Sequence, residues 1–303
     1  MFIAERAGMR LRTDMTVTFI CTGNTCRSAM AQGICRKMLA DRKIENINCK
    51  SCGLAAFTGD SVSINAVEAA KELGADISSH RATAVNSYII DETDLAVCMT
   101  ERHKATLLSY FPDCRAVVPQ REISDPYGGD IDVYRQCAAE LADYIGRLLD
   151  VLTAEIVPMN ESHVSQIAEI EKLCFSAPWS EDGIREELGN ENSHFLSAVC
   201  GEKVLGYIGV QEICGEAYIA NVAVRPEYRR MGLGERLISE AAEGAKTRLC
   251  EFITLEVRKS NAPALALYRK EGYNIAGERK NFYSDPVENG LIMTKYFKDC
   301  ETQ

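Results

Sequence analysis

The arrangement of apolar segments changes near Leu152, about midway along the 303 residues of the chain. Before that point, short apolar segments typical of buried strands alternate with segments of helical periodicity. Such alternation predicts a doubly wound α/β domain with a parallel sheet. After it, three consecutive strand-like segments between residues 194 and 224 predict an α+β domain with a largely antiparallel sheet. The sequence therefore predicts two domains, residues 1–153 and 154–303.

Composition narrows the class of protein. Lys and Arg total 34 against 44 Asp and Glu, so the net charge is −10, which argues against nucleic acid as a direct partner. No apolar run approaches the ~20 residues that cross a bilayer, and the N-terminal stretch is too polar for a signal peptide. Thirteen cysteines lack the spacing of a zinc site, so we expect free thiols and no metal. These features predict a cytoplasmic protein without a membrane partner. Residues 1–14 form a possible extension ahead of the first strand.

A cysteine and an arginine bracket the turn between the first predicted strand and the first helix. Cys21 follows the strand at residues 16–20, and Arg27 opens the helix. A loop in this place points backbone N–H groups at one spot, which suits a phosphate dianion and stabilises a thiolate nucleophile. Arg27 offers a planar pair of donors to phosphoryl oxygens. The predicted phosphate-binding residues are Thr22, Gly23, Asn24, Thr25, Cys26 and Ser28.

A phosphoryl-transfer site also needs a general acid, and Asp125 of an Asp-Pro pair lies just before the last helix of the first domain. Together these residues resemble the low-molecular-weight protein tyrosine phosphatase family across residues 15–152. The resemblance implies that Cys21 attacks phosphorus, Arg27 holds the phosphoryl group and Asp125 protonates the leaving group.

The same resemblance gives roles to three further loop residues. It implies that Asn24 and Ser28 shape the loop and hydrogen-bond the thiolate. It also implies that Cys26 can protect the nucleophile as a disulfide.

Thr25 bears on the substrate of the first domain. The protein-arginine phosphatase branch of the family carries Thr at this place, whereas tyrosine-specific members usually carry Ile, and the segment 125–134 also resembles that branch. Tyr127 suits a tyrosine phosphatase equally well, and Ala29 replaces the usual proline. We expect hydrolysis of protein phosphoarginine. A phosphotyrosine phosphatase and a catalytically silent phosphate-binding module remain as alternatives.

A glycine-rich segment follows the apolar strand at residues 218–224 and opens a helix. Glycines let a backbone come close to a pyrophosphate, and arginines add complementary charge. The segment resembles the acetyl-CoA loop of the GNAT superfamily of N-acetyltransferases. The resemblance implies acetyl-CoA as co-substrate and a set of residues that bind it: Val222, Ala223, Val224, Arg229, Arg230, Met231, Gly232, Leu233, Gly234, Glu235 and Asn261.

Glu256 is a carboxylate inside an apolar strand, on the face opposite Ile253, Leu255 and Val257, so it is expected to face a site. The second half of the chain resembles the ribosomal-protein-alanine N-acetyltransferases. That resemblance implies Glu256 as the base and Tyr268 as the acid that protonates the CoA thiolate. It rests on these segments: Phe175-Ser-Ala-Pro-Trp-Ser180, Asn221-Val-Ala-Val224, Leu255-Glu-Val-Arg258 with Asn261, and Ala266-Leu-Tyr268.

The expected partners follow from these resemblances. The acetyl acceptor is the N-terminal alanine of a small-subunit ribosomal protein, and the phosphatase substrates are phosphorylated proteins. Trp179 either lines the peptide channel or packs as an ordinary core aromatic. The sequence thus predicts a bifunctional enzyme with two independent sites.

Overall fold

The computed structural model describes residues 14–297 and divides the chain into two compact units, one ending at Leu149 and the other beginning at Asp150. Both predicted fold classes are confirmed: the first unit holds a parallel sheet with helices, and the second a mainly antiparallel sheet with helices. The possible extension at residues 1–14 lies outside the described residues except for its last position.

The first unit alternates strands and helices as predicted. Its strands are β1 (Met15–Cys21), β2 (Ile47–Gly53), β3 (Leu95–Cys98) and β4 (Ala116–Val117). Its helices are α1 (Arg27–Asp41), α2 (Ile64–Glu72), α3 (Ser87–Asp91), α4 (Glu101–Tyr110) and α5 (Ile131–Thr153). The pattern did not predict α3, because five residues are too few to show a helical period; Asn86 begins it by accepting a hydrogen bond from Ile89 N.

The parallel sheet has the order β2-β1-β3-β4. Strand β1 pairs with β2 and β3 on its two sides, and all but its first residue are buried. This central position places Cys21 at the carboxyl end of the sheet, where loops of such folds form binding sites. Helix α5 contributes a buried stripe to the core: Tyr134, Cys137, Leu141, Ile145 and Leu148.

The second unit contains a seven-stranded sheet in the order β10-β11-β9-β8-β7-β6-β5. Its strands are β5 (Glu155–Pro158), β6 (Ser193–Cys200), β7 (Lys203–Ile213), β8 (Glu216–Val224), β9 (Phe252–Arg258), β10 (Asn274–Ser284) and β11 (Val287–Tyr296). Its helices are α6 (Glu161–Cys174), α7 (Glu181–Glu186), α8 (Leu233–Thr247) and α9 (Ala262–Lys270).

One pair of strands in this sheet is parallel and pairs over only part of its length. Strand β8 pairs with β9 at Glu216, Ala217 and Tyr218, and no further pairing follows although both strands continue. The β7–β8 register also shifts between Gly209 and Val210, a β-bulge that bends β8. The two strands therefore separate and leave an opening between the ends of β8 and β9.

None of the helices within residues 14–297 is both long and apolar enough to cross a bilayer.

Candidate active sites

The loop between β1 and α1 surrounds the Cys21 sulfur with hydrogen-bonding groups. Asn24 has a left-handed backbone with φ of 55°, a conformation that Asn tolerates better than most residues. In this conformation Asn24 N donates to Cys21 Sγ over 3.3 Å, and Ser28 Oγ shares a second hydrogen bond of 3.0 Å with the sulfur. Both contacts fix the position of the sulfur at the start of the loop.

The Asn24 side chain is buried and holds the loop in this shape. Its Nδ2 donates to Ser28 Oγ over 2.8 Å and to Ser51 Oγ over 2.9 Å. Its Oδ1 accepts from Thr83 N over 2.8 Å. The left-handed turn is thus fixed by residues from β2 and from the segment that follows α2.

The structure brings the predicted general acid to the predicted phosphoryl-binding arginine. Arg27 Nη2 and Asp125 Oδ2 form an ion pair of 2.6 Å, and Arg27 Nη1 donates to Ile123 O over 3.3 Å. The Arg27 side chain is 6% exposed and that of Asp125 53%. A buried guanidinium with an exposed carboxylate beside it can hold a phosphoryl group while the acid reaches a leaving group from solvent.

Two histidines, neither of them among the predicted site residues, contact this loop. His80 Nε2 hydrogen-bonds Asn24 O over 3.0 Å, and His103 Nε2 hydrogen-bonds Thr22 Oγ1 over 2.9 Å. Burial lowers the pKa of both histidines, and the charge of Arg27 adds to the effect at His103. Neither lies near the loop in sequence, so no local pattern could have found them.

Cys26, the cysteine expected to protect the nucleophile as a disulfide, is buried and hydrogen-bonds the Tyr134 hydroxyl over 3.3 Å. Burial, with help from this bond, raises the pKa of Tyr134 to about 12.

Three other buried cysteines of the first unit are poor nucleophiles. Burial raises the pKa of the Cys52, Cys98 and Cys137 thiols to about 12, so these three stay protonated at neutral pH.

In the second unit, Glu256 lies on β9 where that strand has separated from β8. Its side chain is only 4% exposed, and both carboxylate oxygens have partners. The Tyr218 hydroxyl of β8 donates to Oε2 over 2.5 Å, and Arg279 Nη1 of β10 lies 3.0 Å from Oε1. The buried alternate residues of β9 confirm the predicted facing of this strand. The partners, however, come from strands distant in sequence, and the pattern did not indicate them.

Tyr268 lies on α9 and is 6% exposed, with its ring centroid 5.6 Å from that of Tyr273. Burial raises the pKa of Tyr268, so its phenol keeps its proton at neutral pH. Tyr283 of β10 interacts electrostatically with both Tyr268 and Glu256. Tyr283 is therefore close enough to both predicted proton carriers for its charge state to affect them.

The start of α8 fits a pyrophosphate. Gly232 has φ of 90°, which glycine adopts without strain, and it caps the helix that begins at Leu233. Met231 and Leu233 direct their side chains into the core, so the loop can present backbone N–H groups. Together with the opening between β8 and β9, this arrangement suits an extended acyl-CoA.

Three polar residues of the predicted acetyl-CoA set make other contacts. Asn261 Oδ1 accepts from Ala264 N over 3.2 Å and caps α9, which leaves its Nδ2 for a ligand. Glu235 pairs with Lys270 over 2.7 Å. Arg229 donates through Nε to Val224 O over 3.0 Å and therefore ties the loop to β8.

Comparison with known proteins matches each half of the chain separately. Residues 16–158 match the family "Low molecular weight phosphotyrosine protein phosphatase", and residues 164–273 match the "Acetyltransferase (GNAT) family". A protein-arginine-phosphatase of Geobacillus stearothermophilus is 32% identical over 148 residues, which are 46% of this chain and 97% of the relative.

Two further relatives match in the same manner. The low molecular weight protein-tyrosine-phosphatase PtpB of Staphylococcus haemolyticus (strain JCSC1435) is 37% identical over 143 residues, 44% of this chain and 97% of the relative. A ribosomal protein bS18-alanine N-acetyltransferase of Escherichia coli (strain K12) is 36% identical over 126 residues, 41% of this chain and 84% of the relative. The chain therefore belongs to two families at once, joining a low-molecular-weight protein phosphatase domain to a GNAT acetyltransferase domain.

Proposed function

We propose that the chain is a bifunctional enzyme whose two domains, divided after residue 153, act on different proteins. The second domain transfers an acetyl group from acetyl-CoA to the N-terminal alanine of a small-subunit ribosomal protein. The observation that carries this proposal is the Glu256 carboxylate, 4% exposed and located on the part of β9 that no longer pairs with β8. A buried carboxylate is costly unless it is paired and hydrogen-bonded, and Tyr218 and Arg279 supply these partners to Glu256.

Each proton carrier has one role in this proposal. Glu256 accepts a proton from the substrate's α-ammonium, through a water molecule. An α-amino group has a pKa of about 7.7–8.0, so only mild deprotonation is needed at neutral pH. Tyr268 donates its phenolic proton to the departing thiolate. Its burial and raised pKa ensure that the phenol carries this proton at neutral pH.

The remaining residues of the site bind acetyl-CoA, which supplies an activated acetyl thioester. The backbone of Val222–Val224 lies on the edge of β8 that faces β9 and is unpaired there. This edge holds the pantetheine and the thioester carbonyl by hydrogen bonds. Residues 230–235 hold the pyrophosphate at the start of α8, and Asn261 contacts the middle of the molecule.

The test is acetyl transfer to a peptide that copies the alanine-starting N-terminus of a small-subunit ribosomal protein. We expect one acetyl group on the α-amine, found by mass spectrometry. The same peptide with a blocked N-terminus but an internal lysine should stay unmodified. Acetylation of the lysine, or of neither peptide, would refute the proposal.

For the first domain we propose hydrolysis of protein phosphoarginine through a cysteinyl-phosphate. Cys21 attacks phosphorus, and the P–N bond breaks as Asp125 gives its proton to the leaving guanidine. Asp125, now a carboxylate, then activates a water that breaks the S–P bond and releases phosphate. Backbone groups of residues 22–28 and the guanidinium of Arg27 hold the phosphoryl oxygens throughout. The ion pair of Arg27 with Asp125 supports this assignment, because it places the acid beside the phosphoryl-binding residue.

The choice of phosphoarginine depends on Thr25. Its side chain is partly exposed in the loop, where a hydroxyl can accept a hydrogen bond from a guanidinium. A tyrosine phosphatase is the competing function, and the tyrosine-phosphatase relative at 37% identity favours it. A silent phosphate-binding module is the third reading, and the joint presence of Cys21, Arg27 and Asp125 opposes it.

Phosphoarginine and phosphotyrosine peptides of one sequence, assayed side by side, separate these functions. We expect phosphate release from the phosphoarginine peptide, and Thr25→Ile should shift the preference toward phosphotyrosine. The reverse preference in the unaltered chain would refute the Thr25 argument. Failure to hydrolyse either peptide or a simple aryl phosphate would favour the silent module.

A further inference from the structure

Glu171 of α6 is a completely buried carboxylate to which neither proposed reaction assigns a role. Burying such a group costs several kcal/mol unless hydrogen bonds replace its water. Burial raises the pKa of Glu171, and the hydrogen bonds that it accepts act in the opposite direction. Because burying this carboxylate costs free energy, packing of α6 alone does not explain a glutamate at this position.

The hydrogen bonds of Glu171 come from three separate elements. Its Oε2 accepts from the backbone N of Trp179 over 2.7 Å. Its Oε1 accepts from Asn221 Nδ2 of β8 over 2.9 Å and from the Tyr207 hydroxyl of β7. Helix α6 is therefore fixed through one carboxylate to a loop and to two strands.

Two of these partners, Asn221 and Trp179, belong to segments that border the proposed acetyl-transfer site. Asn221 comes directly before the backbone proposed to hold the thioester, at the point where the bulge has bent β8. Trp179 lies in the 175–180 segment, Phe175-Ser-Ala-Pro-Trp-Ser180, and packs with its ring centroid 6.0 Å from that of Phe195. Ser176 of the same segment donates to Asp285 O beside β10, the strand that carries Arg279. The 175–180 segment thus borders the region in front of Glu256.

We propose that Glu171 is a positioning residue that fixes the 175–180 segment against β8 and so aligns the acceptor peptide with the thioester. This proposal rests on the proposed acetyl transfer. Glu171 itself touches neither substrate, and its effect passes through the Trp179 backbone and the Asn221 amide. Loss of the carboxylate should weaken peptide binding while acetyl-CoA, held mainly at the start of α8, still binds.

Trp179 is the chain's single tryptophan, so intrinsic fluorescence reports directly on the 175–180 segment. Glu171→Gln keeps the volume but replaces one acceptor oxygen by a donor that opposes Trp179 N or Asn221. We expect its emission to shift to longer wavelength and the peptide Kd, from fluorescence titration of the full chain, to rise about tenfold. The Kd of acetyl-CoA should change by less than about twofold.

Two further variants control the interpretation. Glu171→Asp keeps the charge on a shorter side chain, so its emission and peptide Kd should lie between those of the unaltered chain and Glu171→Gln. Tyr207→Phe removes one donor to Glu171 but keeps the Glu171 contacts to Trp179 and Asn221, so both readouts should change less than in Glu171→Gln. If Glu171→Gln does not fold, Glu171→Asp and Tyr207→Phe decide the question by the same readouts.

An unchanged peptide Kd in a folded Glu171→Gln variant would overturn the proposal. Equal weakening of peptide binding and of acetyl-CoA binding would also overturn it, because it would indicate a purely structural role. Because binding is read without turnover, failure of acetyl transfer in the unaltered chain refutes the proposed function separately. An absence of peptide binding to the unaltered chain would overturn the positioning role as well.

Discussion

In the first unit, the proposed nucleophile and phosphoryl-binding residue lie on one short loop, and Asn24 within that loop organises both the turn and the sulfur's surroundings. In the second unit, Glu256 on β9 meets Tyr218 on β8 and Arg279 on β10, and the proposed acid Tyr268 lies on a different element, α9. The phosphate site is thus a local structure supported by its neighbours. The proposed acetyl-transfer site is formed by residues from several elements that are distant in sequence.

This difference implies that substitutions should affect the two sites in different ways. A substitution within the phosphate loop should remove one activity and leave the other intact. A substitution at the acetyl-transfer site should act through contacts between strands. The following predictions test this contrast, in order of decreasing effect.

Replacing Cys21 by Ser should lower phosphatase turnover by at least about 10³-fold, since a hydroxyl is a far weaker nucleophile than a thiolate. Acetyl transfer, measured on the same preparation, should stay within about twofold of the unaltered chain. Cys114→Ser, a cysteine outside the loop, is the matched control and should keep both activities. A parallel fall in acetyl transfer would show that the sites are coupled.

Glu256→Gln should reduce kcat/KM of acetyl transfer by about 10²- to 10³-fold, because the amide cannot accept the ammonium proton. Glu278→Gln on β10, where the carboxylate is bound by Lys259 and Asn289, serves as control and should stay near the original rate. Phosphatase activity should not change in either variant. Near-normal acetyl transfer by Glu256→Gln would remove the proposed base.

Asn24→Gly keeps the left-handed backbone but deletes the hydrogen bonds to Ser28, Ser51 and Thr83. We expect it to destabilise the phosphatase unit by about 2–4 kcal/mol, and Asn24→Ala by about 1 kcal/mol more because alanine resists the positive φ. The midpoint of the urea unfolding transition of the phosphatase unit, followed by circular dichroism, measures both. Equal midpoints for Gly and Ala would mean that the backbone conformation carries no cost here.

His103 provides the smallest effect, a pH dependence of stability. Burial, aided by Arg27, lowers its pKa in the folded chain below the unfolded value, which is about 6.5. As the pH falls below that value, the unfolded chain binds the proton before the folded chain does. The stability that the neutral histidine gives the folded chain at neutral pH is therefore lost progressively until the pH reaches the lower pKa of the folded state.

His103→Gln should therefore flatten the decline in stability of the phosphatase unit between about pH 7 and 5, measured by urea unfolding. His194→Gln, in the second unit, should leave that decline unchanged. A steeper decline in His103→Gln would contradict the sign of this prediction.

Much of the fold could be predicted from periodicity. The spacing of apolar residues predicted strands on both sides of Leu152, and the three strand-like segments expected between residues 194 and 224 correspond to β6, β7 and β8. Alternation along β9 correctly assigned Glu256 to the face opposite Leu255. These features are local, because backbone geometry alone sets which residues share a face. Helix α3 was not predicted because its five residues are too few to show a helical period of apolar positions.

The sequence by itself determined the two domains, the phosphate loop and the likeness of each half to its family, since all of these reside in contiguous or regularly spaced residues. Only the tertiary structure decided which residues hold the functional ones in place. His80 and His103 on the loop, Tyr218 and Arg279 on Glu256, and Glu171 beneath Trp179 are all contacts across large separations in sequence. Such contacts depend on how strands and helices pack after they form, and no local propensity records that packing.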